Sequence, residues 1–340
     1  MTAAESAPPR VKLEELADEA GVSLSTVSKV LNGRTDVAAA TRERIERLLD
    51  SHGYERRRGL PGRGTLLELV FPELDTAWAM EIIRGVETVA RANGLSVVLS
   101  ETGTRDAPGN DWMAGVLRRR PVGVVLVFSD LAEDTKTQLR SRAIPFVVVD
   151  PAGDPAPDVP SVGSANWSGG LAATRHLIEL GHTRIAAITG REDMMCSFAR
   201  LDGYRSAMNS AGIPIDDSLI AFGNFHVDGG REIAREMLSR ADRPTAIFAG
   251  SDLQALGVYD AARSLGLHVP ADLSVVGYDD LQLAQWTSPA LTTIHQPLTQ
   301  MAEEAARLVI RLSEESTTII PRMDLATHLV VRESTAPPTP

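Results

Sequence analysis

The sequence predicts an α/β protein in two parts: an N-terminal three-helix head containing a helix-turn-helix, and a two-lobed core of doubly wound parallel sheets. Three observations predict it. Apolar residues recur at helical spacing at Leu13, Leu16, Ala17 and Ala20, then at Val27, Val30 and Leu31, then at Ile45, Leu48 and Leu49. A basic, Gly/Pro-rich stretch without periodicity, RRRGLPGRGT, follows and marks a domain boundary. Beyond it, apolar strand-length runs alternate with amphipathic segments, the signature of a parallel sheet with helices on both faces.

In the head, Ala17 is small where two helices cross, Gly21 suits the left-handed residue that ends the first helix, and Ser23 suits the N-cap of the second. Val22 and Val27 fill the wedge between them, so Leu24, Ser25, Thr26, Ser28 and Lys29 face outward, where a helix can enter a DNA major groove. On this local pattern alone, a plain helical hairpin packed against another element accounts for the residues equally well.

In the core, strands are predicted over 66–71, 96–100, 123–128, 146–150, 185–189, 246–249 and 273–277, and helices over 79–93, 168–180, 201–211, 228–239 and 252–265. The roughly 270 residues involved are many for one such sheet. The Pro-rich stretch 150–160 divides them near the middle, which gives two similar lobes with a cleft between them. The proline-bearing tail after Ser334 is expected to be disordered.

Composition narrows the function classes. With 43% hydrophobic and 23% charged residues the chain has the make-up of an ordinary globular protein. Its longest apolar runs, 122–128 and 144–149, are strand-sized, which excludes a membrane-spanning helix. The polar first ten residues do not read as a secretory signal, and a lone Cys196 offers neither a disulfide nor a cysteine-based metal cage, so a cytoplasmic protein is expected. The net charge of -11 is unevenly placed. Residues 1–64 hold 11 basic and 10 acidic residues, which leaves 23 and 35 for the remainder, a balance of -12. A DNA-contacting head on an acidic body is compatible with that division, because phosphate contacts act within a Debye length.

Parallel sheets bind ligands beyond the carboxyl ends of their strands. The residues just past the predicted strands are Asp75 and Trp78, the segment up to Arg200, Ser251 and Asp252, and Asp279. Carboxylates and a guanidinium suit ring hydroxyls, and aromatic faces suit the apolar face of a pyranose, so the cleft is expected to bind a sugar. Three of the four tryptophans, Trp78, Trp167 and Trp286, fall in post-strand or cleft-rim segments. Stacking on more than one ring is therefore expected, pointing to a xylobiose-like or cellobiose-like oligosaccharide. No nucleophile elbow, P-loop, zinc-protease motif or dinucleotide fingerprint occurs, and His176, His182 and His295 sit in packing or loop motifs, so neither an enzyme nor a cofactor is expected.

The head segment VKLEELADEAGVSLSTVSKVLNGRTDVAAATRERIERLLDSHGY closely resembles the lactose-repressor (LacI/GalR) family of bacterial transcription regulators. The resemblance continues in HLIELGHTRIAAITG, RLDGYRSAM, PTAIFAGSDLQALGVYDAARSLGLHVPADLSVVGYDDL and SPALTTIHQP, in the family's order over about 320 residues. It favours the helix-turn-helix over the hairpin and implies a periplasmic-binding-protein-like core. It also implies that Leu24 and Ser25 read bases, that Lys29 is a basic DNA contact, and that Ser23, Thr26, Ser28, Asn32 and Thr41 hold phosphates. In the cleft it implies effector contacts from Arg200, Asp279, the aromatic Phe225 and the polar Ser251, beside Asp75, Trp78 and Trp286.

The linker departs from the family, whose members follow the GY with a proline-asparagine pair and a short hinge helix. Here Glu55, three arginines, Gly59, Leu60, Pro61 and Gly62 follow Tyr54, with about three fewer residues before the first core strand, and Gly and Pro disfavour a helix interior. Leu60 is the candidate minor-groove wedge, and Arg57 with its two neighbours the candidate phosphate grip; a solvated tether is the alternative.

The expected organisation is a disordered 1–10, a head 11–55, a linker 56–64, a first lobe 65–161 plus 294–321, a second lobe 162–293 plus 322–334, and a disordered tail 335–340. The expected function is a sugar-responsive transcription regulator, a homodimeric repressor on a pseudo-palindromic double-stranded operator, with further pairing to tetramers left open. The effector is a mono- or oligosaccharide; an activator and a sugar-binding protein that does not bind DNA are the alternatives. It would sit in the bacterial cytoplasm, on the nucleoid when bound to its operator.

Overall fold

The computed structural model describes residues 13–31, 34, 37–52, 64–74, 76–103, 111–127, 132–151, 153–314 and 321–339. The head holds α1 (Leu13–Glu19), α2 (Leu24–Leu31) and α3 (Ala39–Ser51). Leu16, Ala17, Ala20, Val27, Val30, Ile45 and Leu49 close on one another as a small separate core.

The first lobe opens with β1 (Leu66–Phe71), α4 (Ala77–Ala92), β2 (Ser96–Glu101), α5 (Asp111–Arg119), β3 (Gly123–Val127), α6 (Glu133–Ser141), β4 (Phe146–Val149) and β5 (Ser161–Ser164). The second is built from α7 (Asn166–Glu179), β6 (Ile185–Thr189), α8 (Met195–Ser210), β7 (Ile220–Phe222), α9 (Val227–Leu238), β8 (Ala246–Ala249), α10 (Asp252–Ser264), β9 (Ser274–Asp279) and β10 (Thr292–His295). The chain then returns through α11 (Leu298–Glu314) and β11 (Arg322–Leu325) before ending on β12 (His328–Val330).

Two six-stranded sheets result, ordered β11-β5-β4-β3-β1-β2 and β12-β10-β9-β8-β6-β7. Every pairing is parallel except β10 with β12. The strands buried on both faces read as unbroken apolar runs, VVLV in β3 and FVVV in β4, as central parallel strands do. In each sheet the strand order reverses between the first strand and its neighbour, and both reversals face the same cleft.

Three expectations about organisation need correction. The break expected at the Pro-rich stretch 150–160 is an excursion within one lobe, because β5 pairs with β4 through Val148↔Ser161 and Val149↔Val162. The lobes therefore part at residue 165, not 161. The assignment of 294–321 and 322–334 to the two lobes shifts as well: Ile294 and His295 stay in the second sheet, and β11 pairs with β5 in the first. The β11 edge closes by a pairing about 160 residues apart in sequence, Ser161 with Arg322, which local patterning does not register.

The third correction concerns the tail. Residues 335–339 are packed, not disordered: Ser334 is fully buried, its carbonyl accepting from Val275 and its hydroxyl from the Thr292 backbone. His182 bonds the Ala336 carbonyl at 2.9 Å, His176 bonds the Thr335 hydroxyl at 2.9 Å, and Thr339 donates to the Ala271 carbonyl. Polar groups of the second lobe thus hold a segment that has no apolar pattern of its own. The expected disordered start at 1–10 and the linker 56–63 lie outside the described residues.

Candidate functional site

The head is built around the short turn between α1 and α2. Gly21 takes φ +62°, and Ser23 caps α2, its hydroxyl accepting from the Thr26 N–H at 3.2 Å. Val27 and Val30 are buried, so α2 presents Leu24, Ser25, Ser28 and Lys29 to solvent, with Thr26 half-buried. An apolar Leu24 that is 45% exposed has no packing reason to sit there, whereas a major groove offers thymine methyl groups. The Ser23 hydroxyl also bonds those of Ser25 and Thr26 at 2.8 and 2.9 Å. Thr41 lies in the first turn of α3, half-buried. Asn32, Arg57 and Leu60 lie outside the described residues.

The cleft holds a cavity of about 350 Å³, within the size range of small-molecule sites. Phe71, Glu73, Thr76, Trp78 and Asp150 line it from the first lobe, and Arg191, Cys196, Arg200, Asn224, Phe225, Ser251 and Asp279 from the second. Of the residues expected in the cleft, Trp78, Arg200, Phe225, Ser251 and Asp279 come together here, while Asp75 lies outside the described residues. Trp286 and Trp167 do not line it. Trp286 is 72% exposed after the turn 282–285, and Trp167 is exposed at the start of α7. Their post-strand positions were misleading because a turn and a helix start carry both rings away from the cavity.

Arg200 is the centre of the site. It is 3% exposed, and its guanidinium lies 3.7 Å from the Tyr278 ring centre and 5.5 Å from that of Phe225. Nε donates to Asn166 Oδ1 at 2.8 Å, Nη1 to the Gly250 carbonyl at 2.6 Å and Nη2 to Gln296 Oε1 at 3.4 Å. A guanidinium has five N–H groups, so donors remain for a ligand. Asp279 Oδ1 stands 4.0 Å from Arg200 Nη1. Burial pushes the Asp279 carboxyl well above the usual carboxylate range, against the pull of Arg200.

Asp279 and Asp280 both have positive φ, +112° and +59°. The bend turns them apart: Asp279 enters the cavity, while Asp280 pairs with Arg332 at 2.5 Å and His295 at 3.0 Å. Phe225, at φ +66°, is held by Ser251, whose hydroxyl donates to the Phe225 carbonyl at 2.9 Å and accepts from the Gln254 N–H at 3.0 Å. Ser251 therefore caps α10 and fastens the aromatic wall. Asp252 is fully buried, accepting from the Leu281 N–H at 2.7 Å and the Thr293 hydroxyl at 2.5 Å, and burial pushes its carboxyl up to about 7.

Sequence reasoning missed Asp150, which is 3% exposed at φ +48° and faces the cavity from the first lobe. It directly follows the run FVVV, so the rule that located Asp279 applied to it too; the predicted strand 146–150 had absorbed it. Asn224 and Arg191 carry no comparable signal, since loops place them. Among the described residues no group of His, Cys, Asp and Glu has the arrangement of a metal site, and no helix is long and apolar enough to cross a membrane.

A helix-turn-helix head in front of a two-lobed core, with a polar and aromatic cavity between the lobes, defines a class: DNA-binding transcription regulators that respond to a small molecule. The chain belongs to the bacterial regulatory proteins of the lacI family. That family's model matches residues 12–57, and a periplasmic binding protein-like domain matches 174–335. The HTH-type transcriptional regulator CelR of Thermobifida fusca is 38% identical, covering 96% of this chain and 98% of its own. The ribose operon repressor of Escherichia coli is 34% identical over 95% of this chain and 99% of its own. A solved transcriptional regulator CelR–cellobiose complex superimposes with a TM-score of 0.73 at 36% identity, covering 96% and 100%. The lac repressor dimer bound to operator and the anti-inducer ONPF gives 0.72 at 26%, with the same coverage. The chain is a transcription regulator, not an enzyme.

Proposed function

We propose that this protein is a cytoplasmic, homodimeric repressor whose operator binding is released by a β-linked disaccharide of the cellobiose or xylobiose type. The observation that carries the reading is the cavity itself. The buried Arg200 and Asp279 face ring hydroxyls, while Trp78 and Phe225 supply apolar faces from opposite lobes. The CelR–cellobiose complex, alike over nearly the whole chain, supports a disaccharide over a single ring. Leu24 and Ser25 read bases, Lys29 is a basic DNA contact, and Ser23, Thr26 and Ser28 hold the phosphates, with Thr41 on the third helix.

Coupling runs through the guanidinium. Arg200 bonds Asn166 and Gln296, which stand in two of the three interlobe connections, and Gln296 Nε2 donates to Ser164 Oγ at 3.0 Å on β5 of the first lobe. A ligand that pulls on Arg200 and Asp279 biases the relative orientation of the lobes and hence the spacing of two heads.

The test is fluorescence anisotropy on the DNA upstream of the protein's own gene, at two salt concentrations, with and without cellobiose, xylobiose and their monosaccharides. Tight, salt-sensitive binding released by one disaccharide is expected. Binding that no sugar changes refutes the effector assignment, and absence of binding refutes the repressor.

A further inference from the structure

In a parallel lobe the ligand cleft lies at the carboxyl ends of the strands, so the chain arriving from the head enters at the opposite, amino end. Gly64 lies there, at the entry to β1, where an added Cβ would stand 2.9 Å from the Arg120 carbonyl. The neighbouring strand entries are those of β3 and β4, because β1 pairs with β3 and β3 with β4. The last turn of α5 carries Arg118, the loop that follows it into β3 carries Arg120, and the loop into β4 carries Arg142. All three side chains are exposed. Arg120 takes φ +47°, and Arg142 is the C-cap of α6.

The surrounding arginines are already committed. Arg119 turns inward onto the buried Glu68, Arg140 pairs with Asp158 at 2.7 Å, and Arg322 with Asp154 at 3.5 Å. Among the described residues no carboxylate pairs with Arg118, Arg120 or Arg142. The acids of this face thus neutralise its β5 and β11 side and leave the side beside the linker positive, on a core whose overall balance is -12. Residues 53–63 reach at most about 40 Å when fully extended, so a duplex held by the head stays close to this face.

We propose that Arg118, Arg120 and Arg142 form a second DNA contact on the core, gripping the phosphates of duplex flanking the operator without reading its sequence. The inference rests on the DNA-binding reading above. Such a contact adds to affinity and to salt dependence while leaving base preference to α2.

The test compares the full-length protein with the triple variant R118Q/R120N/R142Q and with a control of equal charge change on the second lobe, R205Q/R231Q/R263Q. Anisotropy titrations over a salt series use a long duplex from upstream of the protein's own gene and the same site trimmed to its footprint. Each lost phosphate contact lowers the slope of log K against log salt by about 0.9, so in a dimer the triple variant lowers it by up to about five on the long duplex. Affinity for the long duplex falls roughly ten-fold or more, the trimmed duplex is affected less, and the control changes neither. Equal slopes for the triple variant and the control overturn the proposal, since the arginines then serve only the dipoles of their helix ends. If the triple variant melts early, R142Q alone gives the same readout, with a slope change of about 1.8. Wild-type protein that binds neither duplex refutes the repressor reading first, and this contact with it.

Discussion

Arg200 and Gln296 meet where the chain crosses between the lobes: Nη2 of the arginine donates to Oε1 of the glutamine at 3.4 Å, and both side chains are buried. Gln296 stands between β10 and α11, where the chain crosses from the second lobe to the first, and its amide donates onward to Ser164. The arginine beneath the cavity is therefore bonded to one of the crossings between the lobes.

Replacing Gln296 with Leu removes this link without touching the cavity lining. Effector affinity is expected to stay within a few-fold of wild type, while the ratio of operator affinities without and with effector shrinks roughly two- to thirty-fold, the range for a coupling residue. Anisotropy with and without disaccharide measures that ratio; an unchanged ratio removes Gln296 from the coupling path.

Asp279→Asn tests the effector contact. A hydrogen bond contributes about 0.5–1.5 kcal/mol, so disaccharide affinity by calorimetry is expected to fall roughly two- to twelve-fold. Operator binding without effector is retained. Loss of both activities would assign Asp279 to the fold, through its pairing with Arg200.

Gly190 directly follows β6, and a Cβ there would stand 1.9 Å from Phe225 Cζ. Gly190→Ala therefore displaces the ring while leaving the backbone in place. Aromatic contact contributes about 0.5–1.5 kcal/mol, so effector binding weakens roughly two- to twelve-fold with operator affinity unchanged. Undiminished affinity would mean that Phe225 does not stack on the ligand.

Asp252 gives a pH signature. Its carboxyl keeps a proton in the folded chain up to about pH 7 and releases it in the unfolded chain near the ordinary value of 3.8. Between those values the folded state binds more protons, so this group lowers stability as pH rises through that window. Asn imitates the protonated form, and Asp252→Asn is expected to flatten the fall in melting temperature from pH 4 to 7. For a folding unit of about 150–250 residues, about 1 kcal/mol corresponds to roughly 2–4 °C. Parallel wild-type and variant curves in calorimetric scans would show that the carboxyl titrates as an ordinary one.

β1 to β4, β6, β8 and β9 were legible in the sequence as apolar strand-length runs alternating with amphipathic helices, whereas β5 (SVGS), β7 and β10 to β12 were not, being short or polar strands with no such run. The head was legible for a similar reason: Gly21, Ser23 and the spacing of Val27 and Val30 each answer a local demand of turn, cap or core. Arg200 and Asp279 were legible as residues beyond strand ends, supported by family motifs.

Tertiary structure decided the rest. Whether Trp78 or Trp286 faces the cavity depends on where a helix packs and a turn points, and the two sequence contexts look alike. The lobe boundary at residue 165 rests on the pairing of β5 with β4 across the Pro-rich stretch, and the exchange of β11 into the first sheet and the seating of 334–339 against His182 rest on contacts more than a hundred residues apart. The same holds for the arginines gathered beside Gly64. Local spacing determines which faces of an element are apolar and which conformations its backbone can take; partners distant in sequence are brought together only when those faces are buried against one another.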